Sequence, residues 1–153
     1  MQVWKTALAT ALAAAVSVPA LAQSGRDAVL NVEQSDQYER YLTDGQGRTL
    51  YLFTKDAQGD GDGQAASRCH DQCAEVWPPH SVDGEPQVGE GLDPSLVGTL
   101  EREDGTTQLT YGGWPLYRFV KDQAAGEVKG QDVHGFDGEW YLLSPDGTKN
   151  DAQ

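Results

Sequence analysis

Gly47-Arg-Thr-Leu-Tyr-Leu-Phe-Thr-Lys-Asp56 and Gly113-Trp-Pro-Leu-Tyr-Arg-Phe-Val-Lys-Asp122 are two gap-free copies of one segment, identical at six of ten positions. A tryptophan follows each aspartate, Trp77 in the first half and Trp140 in the second. Self-similarity of this kind points to two half-domains related by an approximate two-fold. Alternate residues of a strand face opposite sides of a sheet, so Tyr51 and Phe53 share a face, as do Tyr117 and Phe119. The aromatic face is kept between copies, whereas Leu52 becomes Arg118 and Thr54 becomes Val120 on the other. An aromatic core and a partly wet outer face are expected.

Around these segments, Gly, Asp and Pro punctuate short aromatic and aliphatic runs, which favours strands and turns over long helices. The fold class is mainly β, a small single domain of antiparallel strands with few or short helices. Turn signals stand at Asp44-Gly45, Asp83-Gly84, Asp104-Gly105, Gly112-Gly113, Asp137-Gly138 and Asp146-Gly147. Asp71 to Val76 is the best candidate for a helical turn. The domain is expected over 38–144, with repeat one at about 41–80 and repeat two at about 101–144. Residues 23–37 read as a leader, although Ala28 to Val32 could add an edge strand, and residues 145–153 as a frayed polar tail.

The opening 22 residues read as a secretory signal, with Lys5 as the n-region, Ala7 to Val18 as the apolar stretch and Ala20-Leu21-Ala22 as the cleavage site. A membrane anchor would need a longer, more apolar run than one broken by Thr10, Ser17 and Pro19. Cleavage after Ala22 and a periplasmic or secreted product without a stable membrane anchor are therefore expected. The chain is 153 residues long with a formal net charge of −13, which disfavours nucleic acid and anionic membranes as partners.

The pattern Tyr-x-Phe-x-x-Asp, present as Tyr51 to Asp56 and as Tyr117 to Asp122, resembles the bacterial secreted-repeat family of lipoproteins with a Yx(F/W/Y)xxD motif. Cys69-His-Asp-Gln-Cys-Ala-Glu-Val-Trp-Pro-Pro79, Leu42 to Tyr51 and the Gly130-Gln131 to Trp140 ending are similar to it as well. The resemblance covers about 38–143 and implies fold and export rather than a chemistry. Lipid-anchored members carry an acylated cysteine, and none stands beside the cleavage site here.

Cys69 and Cys73 are the only cysteines, and in an oxidising compartment their default is an intramolecular disulfide. A metal site with His70 and either His80 or His134 is the alternative, on a spacing that matches no common zinc pattern. Asp56, Asp60 and Asp62 lie in a glycine-rich loop like a calcium loop, but Ser67 or Cys69 stands where the bidentate Glu belongs. No cofactor is expected. Asp56 and Asp122 end equivalent strands, where carboxylates usually accept turn N–H groups; the functional alternative is an acid–base pair at the pseudo-two-fold. Trp114, after Gly112-Gly113, stands either at a hairpin tip facing a ligand or against the core edge.

The expected function is a non-enzymatic module binding an unknown protein or small molecule, with Tyr51, Phe53, Asp56, Trp114, Tyr117, Phe119 and Asp122 as candidate binding residues. A metal-handling or redox accessory protein built on Cys69, His70 and Cys73 is the alternative, and a hydrolase using Asp56 and Asp122 a third.

Overall fold

A computed structural model describes residues 29–60 and 64–153. The signal segment and its cleavage site lie outside the described residues, as does Asp62. The chain forms β1 (Asn31–Ser35), β2 (Glu39–Thr43), β3 (Tyr51–Phe53), α1 (Gln72–Val76), β4 (Val97–Glu101), β5 (Thr107–Tyr111), β6 (Trp114–Pro115), β7 (Val133–Gly135) and β8 (Gly138–Leu142). Three small antiparallel sheets result, ordered β1-β2, β3-β8-β7 and β4-β5-β6. The fold is mainly β, and α1 falls on the segment expected to form a helical turn.

The two halves are built alike. Each begins with a hairpin, β1-β2 or β4-β5, and then enters its motif strand through the same backbone bond, Leu50 N–H to Leu42 O or Leu116 N–H to Leu109 O. Tyr51 and Tyr117 then exchange both backbone hydrogen bonds, at 2.9 and 3.0 Å, so the pseudo-two-fold passes between them. From that point each motif strand pairs with the other half. Phe53 lies opposite Trp140 in the β3–β8 ladder, while Arg118 and Val120 donate to Pro78 O and Val76 O on either side of Trp77.

Two apolar clusters flank the motif strands. One is aromatic and holds Tyr51, Phe53, Trp77, Tyr117, Phe119 and Trp140 beside the cysteine pair. The other is aliphatic, centred on Leu42, Leu50, Leu52, Leu109 and Leu116. The outer face is partly wet, as expected: Thr54, Val120 and the half-buried Arg118 meet water, while Leu52 is fully buried in the second cluster. The polarity difference between Leu52 and Arg118 marks a difference in packing between the repeats.

The expected boundaries also shift. The leader contributes Leu30, completely buried, and all of β1, because β2 needs a partner for its own backbone groups. The tail is tied down as well. Asn150 is buried and its amide donates to Tyr38 O at 2.8 Å, while Gln131 Nε2 donates to Asn150 O and Ala152 O. Polar side chains here replace the apolar anchors whose absence suggested fraying.

Candidate functional site

At the pseudo-two-fold the motif residues are wired crosswise. Tyr51 Oη donates to Asp122 Oδ2 at 2.6 Å, and Tyr117 Oη donates to Asp56 Oδ2 at 2.7 Å, so the tyrosine of each repeat is held by the aspartate of the other. The second oxygen of each carboxylate takes a backbone N–H, Arg68 for Asp56 at 2.7 Å and Lys129 for Asp122 at 2.8 Å. Gly130 N–H completes Tyr51, and Ser67 Oγ bonds Tyr117 at 2.7 Å, itself receiving Arg102 Nη1 at 2.8 Å. Both tyrosine hydroxyls are pushed to higher pKa, first by burial and also by their carboxylate partners. Burial likewise raises Asp56 to about 6 and pushes Asp122 upward, against the hydrogen bonds that favour their ionised forms.

The rings follow the same rule. Phe53, Trp140, Trp77 and Phe119 form one continuous stack, with centroids 4.1, 3.9 and 3.9 Å apart and planes within 11° of parallel. Tyr51 meets Trp77 edge-on at 5.5 Å and Tyr117 meets Trp140 edge-on at 5.2 Å. Such contacts contribute about 0.5–1.5 kcal/mol each beyond area burial. Gly130 permits the close packing, because a Cβ there would lie 2.7 Å from Tyr51 Cζ and 2.8 Å from Trp77 Cη2.

The candidate binding residues thus divide. Tyr51, Phe53, Asp56, Tyr117, Phe119 and Asp122 are all under a tenth exposed and have their partners inside the fold. Trp114 is half-buried and packs against the aliphatic cluster, at the core edge rather than as a free hairpin tip. Cys69 and Cys73 form a buried disulfide with a Cα–Cα distance of 5.1 Å, which leaves no thiolate for a metal. His70 is exposed and bonds Ser67 O, while His80 is buried against Val29 O and held below its ordinary pKa by that burial. Among the described residues no group of three His, Cys, Asp or Glu is placed to hold a metal ion. Asp56 points into the tyrosine network rather than toward the acidic loop.

Surface concavities lie elsewhere. A groove of about 940 Å³ runs along β4, lined by Gln58, Asp60, Thr99 and Glu101. A second cleft, of about 440 Å³, lies between Arg48 and Arg118, beside Pro78 and Val120. Sequence reasoning passed over this arginine pair, although its signal was present in the substitution of Leu52 by Arg118 between copies.

Crosswise tyrosine–aspartate pairs, a shared ring stack and a disulfide before the first tryptophan define a class: a small β domain made of two interlocked repeats. The model of a family described as a secreted repeat of unknown function matches residues 40–80 and 98–144, and the chain belongs to that family. Comparison with curated proteins and with solved structures finds no match. Among the described residues no helix is long and apolar enough to cross a membrane.

Proposed function

We propose that the protein is an exported module, released into the periplasm or the medium after cleavage behind Ala22, that acts by binding rather than by catalysis. Support comes from the motif carboxylates: Asp56 and Asp122 are under a tenth exposed and all four of their oxygens accept inward-facing donors, which favours a structural role over that of a hydrolase's acid–base pair. With the repeated residues committed to architecture, recognition falls to the surfaces where the repeats differ.

The test uses the full chain produced through export and immobilised in its oxidised form. A panel of peptidoglycan fragments, cationic peptides and small organic acids is passed over it, and every retained compound is analysed by mass spectrometry. Saturable retention of an unchanged compound is the expected result. Chemical conversion of a retained compound, or no saturable retention across the panel, overturns the proposal.

A further inference from the structure

The cleft between Arg48 and Arg118 has a pseudo-symmetric counterpart that is filled. Arg48 occupies the second position of its motif copy, where the other copy has Trp114, and Arg118 occupies the sixth, where the other has Leu52. Trp114 and Leu52 pack together with the aliphatic cluster. On the opposite side the same two positions carry guanidinium groups, and about 440 Å³ of space remains in front of them.

Of the two, the Arg118 guanidinium is poorly satisfied. Arg48 Nε donates to Asp44 Oδ2 at 3.2 Å, and Arg118 Nη1 stands 3.8 Å from the same oxygen, beyond hydrogen-bond reach. Asp44 Oδ1 accepts the Gln46 and Arg48 N–H groups and its Oδ2 lies closer to Arg48, so Arg118 has only a long ion pair with this carboxylate. Arg118 Nε is buried without a partner, and its side chain is only 31% exposed. Burial and the neighbouring Arg48 charge push its pKa down, and the Asp44 carboxylate offsets this only in part. Asp122 also borders the cleft, but both its oxygens are engaged by Tyr51 and Lys129. Pro78, Phe119 and Val120 supply an apolar wall, with Val120 46% exposed.

We infer that this cleft is a binding site for a small organic carboxylate with an apolar body, its carboxylate bridging Arg118 and Arg48 and its body lying on Pro78, Phe119 and Val120. A planar fork of N–H donors matches a carboxylate edge, and an apolar wall beside it selects against a bare inorganic anion. The site rests on the binding reading above and supplies its ligand class.

The experiment is an NMR titration of the full exported chain with sodium phenylacetate, following the Arg118 Nε–H and the Phe119 and Val120 amides. Saturable movement of all three is expected, with neutral phenylacetamide and inorganic phosphate each binding at least about tenfold more weakly. Arg118→Leu, which installs the residue of the other repeat, is expected to abolish the response while preserving the fold. Arg118→Lys, which keeps the charge but loses the fork, is expected to weaken it and stands in if the leucine variant does not fold. Equal shifts from phenylacetate and phenylacetamide, equal shifts from phosphate, an unaltered response in either variant, or no saturable shift overturns the assignment. If the cleft is silent while the immobilised protein retains another compound, this site fails and the binding module stands.

Discussion

Tyr117→Phe removes one hydroxyl from the crosswise network, and its cost should depend on pH in a calculable direction. Burial raises the folded pKa of Asp56 from its ordinary 3.8 to about 6, while the Tyr117 hydrogen bond works to lower it. An acid raised on folding stabilises the fold below its unfolded pKa and loses that contribution as pH rises through the folded value. In the parent protein that loss is on the order of 3 kcal/mol between about pH 4 and pH 7. Without Tyr117 the carboxylate loses a donor to its charged form, so its folded pKa climbs further and the loss widens. At about pH 4 only neutral bonds are missing, that to protonated Asp56 and that from Ser67, costing about 1–2 kcal/mol. At about pH 8 a bond to a buried carboxylate is missing and Ser67 has lost its acceptor, a cost of about 3 kcal/mol. Urea unfolding of parent and variant at both pH values gives the difference directly. The pH dependence of that difference should vanish in the Asp56→Asn background. A destabilisation that shrinks as pH rises, or that stays below about 1 kcal/mol at pH 8, refutes the reasoning.

Gly130→Ala should destabilise by about 1–3 kcal/mol, because its Cβ would press on Tyr51 and Trp77; thermal unfolding and the near-UV circular dichroism of the stacked tryptophans report it. Replacing Cys69 and Cys73 by serine should cost about 2 kcal/mol in urea unfolding, the chain-entropy value for so short a loop. Arg102→Met should cost about 3 kcal/mol by removing the charged donor from Cys69 O, Gln108 Oε1 and Ser67 Oγ. The same variant should move Asp56 above about 6, since the Arg102 charge favours the ionised carboxylate; a carboxyl NMR titration measures it.

Much of the architecture was legible because duplication exposes which residues the scaffold requires. Tyr51, Phe53 and Asp56 reappear as Tyr117, Phe119 and Asp122, and each serves the same role in each half. Their use was harder to read. Nothing in a linear pattern says that Tyr51 takes Asp122 rather than Asp56, because that choice is made by the reciprocal backbone pair between the two tyrosines. Seven residues offered as binding candidates turned out to pack inside or along the core, since aromatic and acidic residues have the same letters in a ligand site and in a satisfied interior. Asn150 and Gln131 escaped notice for the opposite reason: amides that anchor a tail look like the polar composition of a loose one. Arg48 and Arg118 lie far apart in sequence and became neighbours only through the crossing of the halves.

That crossing also fixes the copy number. Stacked repeat proteins lengthen by adding a unit to an open end, because each unit touches only its neighbours. Here a third copy would bring a tyrosine with no aspartate and a tryptophan with no phenylalanine, since both places in the exchange are already filled. A lone copy would have the same deficit and could relieve it only by meeting another of its kind. The chain is therefore organised as a homodimer joined covalently, and covalent joining is what lets the two halves differ. A true symmetric dimer would have to place arginine, or leucine, on both sides of its axis. A tandem chain can keep Leu52 and Trp114 for packing on one side and present Arg118 and Arg48 to solvent on the other.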